Sequence, residues 1–147
     1  MKGRGKRIGI VVSRFNDFVT KRLLKACLEE LKRQGVKTSN ITVVWVSGSL
    51  ELAVVALKLA RKRNIDAVIC LGVIIRGETF HFELVAYGTT MGIVQASLLS
   101  GKPVVFGVLS TDTVAQAYKR SQARGVNKGR DAARSALEMI GVMSILK

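Results

Sequence analysis

Four short apolar runs alternate along the chain with longer stretches in which apolar residues recur every three or four positions. The runs, Ile8 to Val12, Ile41 to Val46, Ala67 to Leu71 and Val104 to Leu109, are rich in Val and Ile and apolar on both faces. Strands of that kind, joined by long amphipathic connectors, favour a parallel sheet with helices on both sides. The connectors predict helices over Asp17 to Gln34, Leu50 to Lys62, Phe82 to Leu99, Val114 to Gln122 and Gly129 to Leu146. In the first, Leu23, Leu24, Cys27, Leu28 and Leu31 form the buried stripe and Gly35 ends it. The third run is expected to stop at Gly72, and Thr111-Asp112-Thr113 offers an N-cap region for the fourth helix. This order permits right-handed crossovers throughout. No repeat, linker or low-complexity block interrupts it, so residues 1–147 read as one domain, with 1–6 a short basic stub.

In sheets of this class ligands gather at the carboxyl ends of the strands. Four polar segments stand there: Ser13 to Asn16, Ser47 to Glu51, Gly72 to His81, and Ser110 to Asp112. The third is the most informative. A strand gives way to Arg76, Gly77, Glu78 and Thr79, then to His81, the only histidine, just before a helix. Free N–H groups and the helix dipole make such a turn an anion site. An imidazole beside it, able to exchange protons near neutral pH, points to chemistry as well as binding.

Composition narrows the class. A chain of 147 residues with 48% hydrophobic content and one proline can bury a core without staples. Its apolar runs are far too short to cross a bilayer, and the basic start leads into no cleavage-like site. Cys27 and Cys70 lie in apolar-periodic segments without paired spacing, which reads as buried free thiols of a cytoplasmic protein. No Cys/His cluster exists to hold zinc. The balance of 24 basic against 10 acidic residues gives a net charge of +14, which attracts polyanions or anionic substrates.

Lined up in order, Arg14-Phe15-Asn16, Gly48-Ser49-Leu50-Glu51, Gly72 to Phe82, Val105 to Leu109, Arg120, Asn127-Lys128-Gly129 and Ala136 to Met139 resemble lumazine synthase. The resemblance runs from about Arg7 to Leu146. It implies a flavodoxin-like three-layer α/β sandwich with a four-stranded parallel sheet, assembled into pentamers that in many members close into a sixty-subunit shell. It also implies a reaction of riboflavin biosynthesis. There 5-amino-6-(ribitylamino)uracil condenses with 3,4-dihydroxy-2-butanone 4-phosphate to give 6,7-dimethyl-8-ribityllumazine, with no metal or organic cofactor.

By the same resemblance Phe15 stacks on the pyrimidine ring, although read alone it fits the core behind strand one equally well. Ser49, Leu50 and Glu51 hold the ribityl chain, while Ser49 as an N-cap and Glu51 as a first-turn acid suit a helix start. Ile74 and Ile75 wall the ring pocket. Gly77, Glu78 and Thr79 cradle the phosphate, and Arg120 supplies a charged fork. Phe106 lines a neighbouring subunit's pocket, His81 is the acid–base group, and Lys128 and Asp131 contact substrate or steady the histidine.

The chain departs from the family in places. Ser47 stands for a common proline, and Leu50 for an aromatic or small residue. The segment Arg120 to Asn127 differs in sequence but not in length, and residues 1–6 replace an extra strand that many members carry. The charge also exceeds what two small anionic substrates require. That supports a second reading: a basic cage or scaffold of this fold that collects nucleic acid or acidic cargo without reading sequence.

Overall fold

The computed structural model describes residues 1–147. In chain order the elements are β1 (Ile8–Ser13), α1 (Asp17–Arg33), β2 (Ile41–Val46), α2 (Leu52–Ala60), β3 (Ala67–Ile75), α3 (His81–Ser100), β4 (Val104–Thr111), α4 (Val114–Lys119) and α5 (Lys128–Ile145). Single 3₁₀ turns precede β2 and α2, over Thr38–Asn40 and Ser49–Glu51. The four strands form one all-parallel sheet in the order β2-β1-β3-β4, so every strand end of one kind lies on one side of the molecule.

Helices cover both faces, as apolar central strands require. Ile8, Ile10, Val12, Ile69 and Leu71 pack with Leu23 and Leu31 of α1 and Leu137 of α5. Val11, Val68 and Cys70 point the other way, against Leu52 and Ala56 of α2 and Ile93 of α3. Each fully buried aliphatic side chain contributes about 1.5–3 kcal/mol. Both cysteines are free and buried, and burial pushes each thiol up to about 12. No helix is long and apolar enough to cross a membrane.

Four expectations need correction. The third strand does not stop at Gly72; β4 pairs with it as far as Ile75↔Thr111. Gly72 is there because a Cβ would lie 2.9 Å from Ser49 Oγ and 3.2 Å from both Leu52 Cδ1 and Ser13 Oγ. The strand β2 is not apolar on both faces in the way expected, being a sheet edge on which Thr42 and Val43 are exposed. The second helix begins as a 3₁₀ turn capped by Gly48, and Ser49 is buried inside that turn without serving as its N-cap. The fourth helix ends at Lys119, because Ser121 bridges to Asn127 and the Gln122 N–H turns back to the Val126 carbonyl at 2.9 Å. Its N-cap is as expected: Thr113 and Gln116 form a reciprocal capping box.

The α1–α5 seam is the tightest contact between helices. A Cβ at Gly129 would collide with the Leu23 carbonyl, so only glycine lets α5 start so close to α1. Asn127 caps α5 with its side-chain oxygen, accepting from Gly129 N–H at 2.8 Å and Arg130 N–H at 3.2 Å. Further along, buried Glu30 accepts from Arg33 of its own helix at 2.7 Å and from Arg134 of α5 at 3.2 Å.

Candidate active site

At the carboxyl ends of β1, β2 and β3 a cavity of about 460 Å³ opens to solvent. Each wall comes from the chain leaving a strand. After β1, hydrogen bonds from Arg14 N–H to Val46 and from Phe15 N–H to Ser47 (2.8 and 3.0 Å) carry the pairing past the strand end. Asn16 then takes a left-handed conformation, φ 60°, which asparagine tolerates better than most residues. The sharp turn leaves the Phe15 ring on the cavity rim, 71% exposed, which decides against a core role.

After β2, Gly48, Ser49, Leu50 and Glu51 line the second wall. Glu51 accepts a hydrogen bond from Ser47 Oγ at 2.8 Å. Leu50 lies over Gly88 of α3, where a Cβ would approach its Cδ2 to 2.9 Å. The floor is the end of β3, Val73, Ile74 and Ile75. Gly77 and Thr79 follow, with His81, Phe82 and Val85 of α3 closing the cavity.

The turn between β3 and α3 is built to meet an anion. The main-chain N–H groups of Gly77, Glu78, Thr79 and Phe80 have no partner within the chain, and they stand at the amino end of a 20-residue helix. Thr79 Oγ1 accepts from the His81 N–H at 3.3 Å. Arg76 braces the turn from behind. Its Nε donates to Asp112 at 2.8 Å and its Nη1 to Glu83 at 2.5 Å, while its guanidinium lies 4.4 Å from the Phe82 ring centroid. The bonds to Asp112 and then Glu83 raise the Arg76 pKa above its ordinary value, and Arg76 holds the Glu83 carboxyl below the usual range.

Nine of the residues singled out from the sequence therefore share one cavity: Phe15, Ser49, Leu50, Glu51, Ile74, Ile75, Gly77, Thr79 and His81. Glu78 belongs to the turn but points to solvent. Four others lie outside this cavity in the single chain. Phe106 is half-buried in the middle of β4, packed on the α2–α3 side of the sheet. Arg120, Lys128 and Asp131 cluster where α4 passes into α5, with the Lys128 N–H donating to the Arg120 carbonyl at 3.0 Å. Asn16, Ser47, Gly48, Val73 and Phe82 also line the cavity; they lie in the segments quoted from the sequence but were given no binding role there, and Val85 lies outside those segments. Helical spacing carries a usable signal for Val85, four residues beyond His81 on the same face.

The family model described as 6,7-dimethyl-8-ribityllumazine synthase matches residues 5–144. That span takes in all four strands, the cavity and the Arg120–Asp131 corner. It accounts for the flavodoxin-like sandwich and identifies an enzyme of the transferase class with a role in riboflavin biosynthesis. The chain belongs to the 6,7-dimethyl-8-ribityllumazine synthase family.

Proposed function

We propose that residues 1–147 act as one lumazine synthase-like domain that condenses 5-amino-6-(ribitylamino)uracil with 3,4-dihydroxy-2-butanone 4-phosphate, releasing phosphate and water. The observation that carries the reading is a single cavity combining an exposed ring, an apolar floor, an unfilled N–H turn and the only histidine. Each part suits one demand of the chemistry. The Phe15 ring stacks on the flat pyrimidine, and Ile74 and Ile75 exclude water from its edge. Ser49, Leu50 and Glu51 receive the ribityl chain, with the Glu51 carboxylate accepting from its hydroxyls. The Gly77-Glu78-Thr79 turn binds the phosphate through main-chain N–H groups.

His81 then moves protons. Imine formation, phosphate elimination and ring closure each shift a proton between nitrogen, carbon and oxygen, and His81 stands two residues past the Gly77-Glu78-Thr79 turn. Much of the rate comes from holding two reactants together, worth up to roughly 7–11 kcal/mol in favourable cases. The histidine effect is accordingly modest.

Arg120, Lys128, Asp131 and Phe106 act from a neighbouring subunit, since this chain keeps them outside its own cavity. The subunits meet as a pentamer along α3. Its exposed Leu84, Tyr87, Met91, Val94 and Leu98 recur at spacings of three and four, the spacing of a helix–helix seam. A patch of that kind on a folded chain marks a protein contact.

The test is an assay with both substrates on size-fractionated protein, comparing wild type with His81→Ala. Lumazine absorbance is expected only in assembled fractions. The substitution is expected to lower kcat by on the order of 10²-fold or less with little change in KM. Unchanged turnover in the variant removes His81 from the mechanism, and no product from wild type removes the reaction.

A further inference from the structure

The amino ends of the four strands lie opposite the cavity, and the segments that enter them are tied into one surface. The first turn of the chain packs on the end of α1, the Gly3 N–H donating to the Gln34 carbonyl at 2.9 Å. The Arg7 N–H donates to Asp66 Oδ2, and the Asp66 N–H to the Arg7 carbonyl, both at 2.8 Å. Lys102 Nζ crosses to the carbonyls of Lys62 and Ile65 at 2.7 and 2.8 Å. Residues 1–7, 30–37, 58–66 and 102 therefore make a continuous pole.

This pole holds twelve of the 24 basic residues and only two acidic ones, Glu30 and Asp66, so ten of the fourteen net positive charges sit there. Arg33 alone among its cations is ion-paired, and Lys102 is engaged by carbonyls. The other ten have no carboxylate partner, and nine of them are exposed. The remainder of the chain carries twelve basic and eight acidic residues, so a second copy brings net positive charge and does not neutralise the pole. Anionic bilayers are bound by basic surfaces that also insert apolar side chains, and here Met1 is the only large exposed one. The pole contains no aromatic residue on which a base could stack.

We propose that this pole docks the phosphodiester backbone of nucleic acid, by charge and without reading sequence. It is a second surface, remote from the cavity and independent of the reaction assigned there.

The test measures anisotropy of a labelled, mixed-sequence single-stranded RNA against the full chain at rising salt. Binding is expected to weaken steeply between about 50 and 200 mM salt, as counterion release requires. The triple variant Arg61→Gln, Lys62→Gln, Arg63→Gln is expected to lose about 10-fold or more in affinity, with the log–log salt slope falling by about 2. A control triple of equal charge change, Lys21→Gln, Lys25→Gln, Lys147→Gln, is expected to lose less than about 2-fold. If the first triple does not fold, the pair Lys2→Gln, Lys6→Gln takes its place, with the slope falling by about 1. Equal losses in pole and control variants, no salt-sensitive binding by wild type, or tighter binding to phosphatidylserine vesicles than to RNA would each overturn the proposal.

Discussion

Helices α5 and α3 are of similar length, 18 and 20 residues, yet they meet the rest of the chain very differently. The first buries six residues, from Gly129 to Ile140, and is locked to α1 by a glycine contact, an asparagine cap and the Glu30–Arg134 ion pair. The second buries three, Thr89, Ile93 and Ala96, and leaves Leu84, Tyr87, Met91, Val94 and Leu98 in solvent. The first is packed along most of its length and exposes apolar residues only near its carboxyl end (Met139, Val142 and Ile145), whereas the second exposes them from end to end. The lesson is that apolar content does not report burial within a chain. On α3 the surplus apolar surface is what a partner would cover, and it runs along the helix whose amino end carries His81.

The largest expected effect breaks the packed side. Gly129→Ala drives a methyl into the Leu23 carbonyl, and backbone there has little room to give. The unfolding free energy is expected to drop by about 3–4 kcal/mol, read from denaturant titration, with the α1–α5 seam opening first in hydrogen exchange. A loss below about 1 kcal/mol would mean the seam relaxes freely.

The open side should respond in the opposite way. Met91→Glu adds a charge where α3 is 58% exposed, so the single chain is expected to keep its stability within about 1 kcal/mol. Assembly should weaken by about 100-fold or more, because the charge would have to be buried in the contact. Sedimentation would show lighter particles, with specific activity falling alongside. Particles of unchanged mass would dissociate α3 from the subunit contact.

A smaller effect sharpens the seam's electrostatics. The hydrogen bond from Arg33, reinforced by Gln34 and Arg134 against the opposing effect of burial, holds the Glu30 carboxyl down to about 2, against 4.5 for a free one. A depressed carboxylate stabilises the fold above its unfolded pKa, and that contribution disappears as pH falls from about 4.5 through about 2. Its size is on the order of 2 kcal/mol, less than the full shift because Arg33 and Arg134 are more than half exposed. The stability gap between wild type and Glu30→Gln is therefore expected to be open at neutral pH and to close in acid. A gap independent of pH would show that Glu30 contributes by packing alone.

Much of this division was legible in residue order. The Val and Ile runs announced their strands, Gly35 ended α1, and Thr113 capped α4, because each of these signals is local. What escaped depended on neighbours distant in sequence. Gly72 reads as a stop, but β4 extends β3 past it, and its missing side chain serves Ser49 and Ser13. Strand β2 reads as a core strand, but only the order β2-β1-β3-β4 makes it an edge. The cavity followed a similar rule. Residues at strand ends were found, whereas Val85 belongs to it only because α3 carries it over the strand ends, one turn beyond His81. The corner holding Arg120, Lys128 and Asp131 was picked out by its resemblance to known sequences, and in one chain it lies outside the strand-end cavity.

The brace behind the anion turn has a kinetic consequence. Arg76 carries one positive charge and is met by two carboxylates, Glu83 and Asp112, so the cation nearest the turn is more than neutralised. On the proposed reading, a phosphate at Gly77–Phe80 would meet main-chain dipoles, with the Arg76 charge already taken up by its two carboxylates. If a neighbour's guanidinium supplies the countercharge, turnover per chain becomes a function of protein concentration, falling on dilution as molecules separate and recovering when they are brought together again.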